Sequence, residues 1–218
     1  MSDPQPFGTV GPADWGDKPC FIVGGGPSLL PFVSSLASIH LKGHVVAVND
    51  CYLRCSPDAI VTIDQTWLRE RKAAIPGMPA PVYAAVSDDN ARPALGNIVY
   101  LKRGESPRRT IHLSTDPSTI ANGLCSGFAA FNFAFLRHAR TIYLLGIDFT
   151  PGENGRSHWH DGYRWHSPRS AGRLYQAWAR KFDEVLHQVE AVGVEAINCS
   201  PTKMLKGYKH VPYQEALA

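Results

Sequence analysis

At 218 residues the chain has room for one domain with a full core, and its 44% apolar residues suit a globular protein. A net charge of +3 with only 19% charged residues argues against a dedicated nucleic-acid binder, which needs a concentrated basic surface. No apolar run approaches the roughly 20 residues that span a bilayer, and the first 19 residues have neither the basic nor the apolar region of a signal peptide.

Residues 1–19, rich in Pro and Gly, read as an irregular N-terminal arm. CFIVGGG (20–26) reads as a buried strand running into a glycine turn, and PSLLPFVSSLASI (27–39) as a helix with Ser28 near its start. HVVAVND (44–50) and DAIVTID (58–64) are two further buried strands, each ending on an acidic residue. PVYAAVS (81–87) and NIVYLKR (97–103) are shorter ones. SGFAAFNFAFLRHA (126–139) is a helix too apolar for a surface, and RTIYLLGIDF (140–149) is a strand that carries Asp148 at its end. Residues 170–193 form the longest predicted helix, with Leu174, Trp178, Phe182, Val185 and Val189 on one face. VEAINCS (194–200) is the last strand. Apolar strands alternating with helices predict an α/β fold: a single Rossmann-like domain over 20–218, with a mostly parallel sheet and helices on both faces. The connection near 150–170 is long for such a fold and reads as a lid loop.

In open parallel sheets ligands bind beyond the carboxyl ends of the strands. That rule collects Gly24, Gly25, Gly26, Pro27, Ser28, Asn49, Asp50, Asp64, Asp148 and Asn198 to Ser200 on one rim. GGGPS lacks the Lys-Ser/Thr of a P-loop and the third glycine of a dinucleotide fingerprint. Its chemistry is still that of an anion site, because glycines let a phosphate near the backbone and a helix N-terminus offers N–H groups; the alternative is a tight strand-to-helix turn. Asn49 and Asp50 either contact a ribose or base edge or end a strand. Asp64 is a helix cap or a ligand contact, and Asp148 orients a ligand, binds a metal or caps a turn. Ser126 and Gly127 open the apolar helix, with Ser126 as N-cap or ligand contact.

His158, His160, Asp161, Tyr163 and His166 crowd into nine residues with Trp159 and Trp165 between them. They fit a general acid or base, a transition-metal site at His158, His160 and His166, or an aromatic lid. The basic cluster Lys102, Arg103, Arg108 and Arg109 reads as a solvated loop. Five cysteines, an odd number set in or beside apolar runs, read as reduced and buried, which predicts a cytoplasmic protein. Cys51 and Cys55 have no second pair at zinc spacing, so no structural metal is expected.

Four blocks occur in a characteristic order: FIVGGGPSL, LCSGFAAFNFAFLRHARTIYLLGIDF, His166-Ser167 and AINCSPTKML. Together they resemble the bacterial CMP-sialic-acid sialyltransferases and the wider group that includes flagellin-modifying motility accessory factors and archaeal 6-hydroxymethylpterin pyrophosphokinases. The resemblance implies that Gly25, Gly26, Pro27, Ser28, Ser126 and Gly127 hold a cytidine nucleotide and that Asn49 contacts it. It implies that His166 is the base that activates the acceptor hydroxyl. Where the sialyltransferases place tyrosines after Gly-Ile-Asp-Phe, this chain has Thr150 and Pro151, and Tyr163 or Arg164 is the substitute that neutralises the departing phosphate. The function expected on this basis is a glycosyltransferase-like transfer from a CMP-activated or other nucleotide-activated sugar, with no metal or other cofactor required. The acceptor stays open, as does a homo-oligomer. The pyrophosphokinase branch implies instead a Mg²⁺-dependent enzyme using Asp50, Asp64 and Asp148, with Asp58 as a further member of its Pro-Asp…Asp pattern. A catalytically silent nucleotide-binding module is the third reading.

Overall fold

The computed structural model describes residues 4–12, 14–104, 110–159 and 168–218. Among these residues nine strands form one sheet: β1 (Cys20–Val23), β2 (His44–Val48), β3 (Ala59–Thr62), β4 (Val82–Val86), β5 (Ile98–Arg103), β6 (Thr119–Ile120), β7 (Thr141–Leu145), β8 (Glu195–Asn198) and β9 (Lys209–His210). All neighbours pair in parallel, in the order β6-β5-β4-β3-β2-β1-β7-β8-β9. The chain starts in the middle, winds out to β6, and returns to the other side of β1 as β7. β1 and β7 therefore flank the point where the winding reverses, the place where such sheets open a crevice.

The side-chain period of two explains both faces at once. Cys20 and Ile22 of β1, Val46 of β2, Val61 of β3 and Leu144 of β7 point into one core; Phe21, Val23, Val45, Ala47, Ile60 and Leu145 point into the other. The first core is roofed by α2 (Ser126–Leu136) and α3 (Pro168–Ala191). Phe128, Phe131, Phe133 and Phe182 are fully buried there, and each such ring contributes about 1.5–3 kcal/mol by leaving water. Asn132, also fully buried, is matched inside this core: its Oδ1 accepts from Ala121 N (2.8 Å) and Ser114 N (3.1 Å), and its Nδ2 donates to Ser114 O (3.0 Å).

The second core lies beneath residues 27–41, the short turn 49–53 and α1 (Gln65–Arg71). Residues 27–41 form a helix, as the pattern predicts, but it is wound throughout with the tighter three-residue repeat. Pro31 has no N–H to give to residue 27 and would clash with its carbonyl in an α-helix. Among its described residues the N-terminal arm has no strand or helix, yet it is held: Val10 and Trp15 are buried, and Trp15 stacks on His44 with ring centroids 4.5 Å apart. All five cysteines are free, and no helix among the described residues is long and apolar enough to cross a membrane.

Candidate active site

β1 and β7 approach so closely beyond their last residues that the glycines are needed for packing. Gly24 N donates to Leu145 O (2.7 Å) and Gly26 N to Gly146 O (2.8 Å). A Cβ on Gly24 would lie 2.6 Å from Gly146 O, and one on Gly26 would run into the Asp148 carboxyl group as well as Gly146 O. Gly146 itself takes a left-handed φ of +66°, which glycine adopts without strain. Gly25 faces the His158 ring instead, 2.6 Å from its own would-be Cβ.

Asp148 occupies the amide that the sequence offered to a phosphate. Its Oδ2 accepts from Ser28 N (2.8 Å) and its Oδ1 from Ser28 Oγ (2.6 Å), so the start of helix 27–41 is capped from the segment after β7, 120 residues away. Ser28 Oγ also lies 2.7 Å from the Tyr213 hydroxyl, which lies 2.9 Å from Ser200 Oγ. A carboxylate only accepts, which fixes every proton in this row. Ser28 donates to Asp148, Tyr213 to Ser28, and Ser200 to Tyr213. The hydroxyls of Tyr213 and Ser200 accept in turn from Gly146 N (3.0 Å) and Ile147 N (3.0 Å).

Burial and the nearby Asp148 push Tyr213 up to about 12, against about 10 in an unfolded chain. The folded state thus keeps a proton that the unfolded state loses. The stabilisation is complete below pH 10 and lost as pH rises toward 12, by about 2–3 kcal/mol. Urea midpoints of wild type and Tyr213→Phe at pH 9 and pH 12 check this: the wild type should lose more, because Tyr213 titrates only there, while the other buried tyrosines and cysteines titrate in both proteins and cancel in the difference.

A cavity of about 470 Å³ opens beside the turn. Its lining runs along the rim from Arg103 at the end of β5, past Asp64 and Gln65 after β3 and Asn49 after β2, to Gly24–Gly26 and Gly146–Thr150. The cavity is a trench with residues from the ends of β5 and β7 at its two limits, strands that lie five spacings apart, about 24 Å along the sheet. Ser126 and Gly127, at the start of α2, line it, as do Tyr175 and Trp178 of α3. So Gly24, Gly25, Gly26, Asn49, Asp64, Ser126, Gly127 and Asp148 share one cavity, while Pro27 and Ser28 line a second one on the far side of the turn, where Asp148 and Thr150 also appear.

Several of these residues have local duties as well. Asn49 has a left-handed φ of 51°, a conformation asparagine tolerates better than most residues. Asp64 is the N-cap of α1, its Oδ1 accepting from Thr66 N (2.8 Å) and Trp67 N (3.1 Å). The N-cap of α2 is Cys125, not Ser126: its sulfur accepts from Phe128 N (3.4 Å), while Ser126 Oγ accepts from Ile63 N (3.1 Å) and ties α2 to the end of β3.

Asp50 stands apart from the cavity. It is 3% exposed and holds Arg71 through two hydrogen bonds (2.9 and 2.8 Å) and Trp67 Nε1 through a third (2.8 Å). The carboxylates that a magnesium site would need are thus held separately: Asp50 by Arg71, Asp64 by the amides of α1, Asp148 by Ser28. Among the described residues no three His, Cys, Asp or Glu side chains converge, and Asp50, turned to Arg71 outside the cavity, does not join Asp64 and Asp148 there.

The described part of the 150–170 connection folds back on the glycine turn. Trp159 N donates to Gly25 O (2.9 Å) and its indole Nε1 to Gly24 O (3.2 Å), while Ser157 and His158 line the cavity. His160, Asp161, Tyr163, Arg164 and His166 lie outside the described residues. Sequence reasoning passed over Arg103, Gln65, Tyr175 and Trp178 as cavity residues. Arg103 could have been found by the strand-end rule, but its basic neighbours gave it the look of a loop. Trp178 belongs to the helical stripe of α3 and reads as core. Gln65 Nε2 is buried in the lining without a hydrogen-bond partner among the described residues, a condition that costs about 1–3 kcal/mol.

No protein-family model matches the chain, and no curated protein sequence does. Its fold is similar to that of the MAf glycosyltransferase from Magnetospirillum magneticum AMB-1, with a TM-score of 0.62 over 93% of this chain. The identity is 16%, so the likeness is one of fold, and the chain spans 35% of that protein's length.

Proposed function

We propose that this chain is a nucleotide-dependent transferase of the glycosyltransferase kind, taking a nucleotide-activated sugar into the trench above β1 and β7. The observation that carries the reading is the trench itself, at the winding reversal of a sheet whose fold is shared with a glycosyltransferase. Its lining suits such a donor. Phe149, Tyr175 and Trp178 make an aromatic wall, with ring centroids 6.5 Å (Phe149–Trp178) and 5.7 Å (Tyr175–Trp178) apart, on which a base can stack. Asn49 offers an amide to the nucleoside, and the first turn of α2 offers its positive end to phosphate.

In this proposal His166 takes the proton of the acceptor hydroxyl as the new glycosidic bond forms, and Tyr163 or Arg164 neutralises the nucleotide that leaves. Residues on both sides of segment 160–167 line the trench: Ser157 and His158 before it, Tyr175 and Trp178 after it. That supports chemistry delivered from this segment. Protein donors can carry the developing charge without a metal.

The test is a thermal-shift panel of CMP, CDP, UDP, GDP and ATP, each with and without Mg²⁺. A cytidine nucleotide should stabilise the protein without Mg²⁺, by about 5–10 °C at a hundredfold excess over its Kd. His166→Ala should then lower turnover about 10²–10⁴-fold at unchanged nucleotide affinity. Shifts that need Mg²⁺ and vanish in Asp64→Asn, with His166→Ala fully active, would replace this reading by the pyrophosphokinase one.

A further inference from the structure

We infer that the β3–β5 end of the trench is an oxyanion subsite, in which Arg103 and Gln65 hold a phosphate or carboxylate group of the bound ligand. Among the described residues Arg103 is the only Arg or Lys in the trench lining. A guanidinium carries five N–H donors in a planar fork. Here one hydrogen bond is made to protein, from Nη2 to Ser87 Oγ (2.8 Å), and Ser87 is itself set in place by donating its N–H to Asn90 Oδ1 (3.0 Å). The side chain is thus anchored at one corner, with its remaining donors uncommitted among the described residues. Gln65 Nε2, in the same lining, is a buried donor with no acceptor among them.

The trench's own carboxylates are turned to other work. Asp64 accepts from the amides of α1 and Asp148 from Ser28, and the hydrogen bond that Arg103 makes among the described residues goes to Ser87. A cationic fork and an orphaned amide donor in one lining complement an oxyanion and disfavour a metal ion. Both residues stand at or after the ends of strands set to one side of the glycine turn, since β3 lies two strands from β1 and β5 four, about 10 and 19 Å along the sheet. A ligand that reached both subsite and turn would carry its anionic group well away from the turn.

The nature of the ligand rests on the transferase reading, but the anion site does not, and the experiment separates them. Calorimetry on the full chain compares wild type with Arg103→Gln, Arg103→Lys and Gln65→Leu, using cytidine, CMP, CDP, inorganic pyrophosphate and glucuronate. Arg103→Gln should weaken at least one anionic probe tenfold or more and leave cytidine unchanged. Arg103→Lys should recover part of the loss, and Gln65→Leu should show a smaller loss for the same probe. Dependence of CMP, CDP or pyrophosphate on Arg103 identifies phosphate as the group held; dependence of glucuronate alone identifies a carboxylate. If the variants fold poorly, modification of wild-type Arg103 by phenylglyoxal, read by mass spectrometry, should slow at saturating probe. No anionic probe sensitive to Arg103, an equal loss of cytidine and CMP, or no protection from phenylglyoxal would overturn the subsite. Pyrophosphate bound through Arg103 with no nucleotide bound more tightly would keep the subsite and refute the transferase reading. Nucleotide binding with no Arg103 dependence in any probe would do the reverse.

Discussion

Alanine at Arg71 should destabilise the fold by about 3 kcal/mol, the lower end of what removing one partner from a buried ion pair costs. Asp50 is nearly sealed from water, and among the described residues Arg71 supplies two hydrogen bonds to its carboxylate and Trp67 one. Arg71 is itself 35% exposed, so water can reach part of the space it leaves, which keeps the loss below that of a fully enclosed pair. Asp50→Asn keeps an acceptor for Trp67 and should cost less, about 1–2 kcal/mol. Urea denaturation measures both. Because Asp50 does not line the trench, the nucleotide shift of Arg71→Ala, taken where the variant is folded, should equal that of wild type. A carboxylate that served a bound ion or ribose would behave in the opposite way: substitution would remove binding and leave stability nearly intact. That second pattern would return Asp50 to the site.

How far the sequence discloses the molecule follows from the range of each interaction. The strands are legible because a strand buried on both faces must be apolar throughout, and HVVAV, AIVT and TIYLL have no other use for such runs. The rim follows from the strand ends, so Asn49, Asp64 and Asp148 can be placed on one side of the sheet before any coordinates. The partners of those residues are beyond such reading. Asp50 meets an arginine 21 positions on, in the short helix α1, whose sequence QTWLRER shows little apolar periodicity. The two-residue strands β6 and β9 are too short for any alternation to appear. The glycines of GGGPS are explained by a loop 120 residues later that no local pattern reveals. Ser126 and Cys125 exchange roles for a similar reason: the serine hydroxyl is drawn to Ile63 N, and the sulfur is left to cap the helix.

Replacing Asp148 with alanine should cost about 3–5 kcal/mol and should also remove most of the nucleotide stabilisation. Two hydrogen bonds to a carboxylate are lost, each worth about 1.5–3 kcal/mol, and one of them caps the helix that begins at Ser28. The turn carrying Gly24–Gly26 is pinned to β7 through this carboxylate, so one wall of the trench loses its support. Asparagine at the same position should be far milder, and the row of hydroxyls says why. Its carbonyl can accept from Ser28 N while its amide donates to Ser28 Oγ. Ser28 then turns its proton toward Tyr213, and Tyr213 turns its own toward Ser200. The row runs backwards, and the one group left over is the Ser200 O–H, buried completely with both of its lone pairs already taken by Ile147 N and Tyr213. Leaving one buried donor unsatisfied costs about 1–3 kcal/mol, which sets the expected loss for Asp148→Asn. Urea denaturation of the two variants, with the CMP thermal shift alongside, decides the point. If asparagine proved as damaging as alanine, the negative charge itself would be what holds the turn; if alanine cost less than 1 kcal/mol, the link between β1 and β7 would reside in the backbone hydrogen bonds of Gly24 and Gly26 alone.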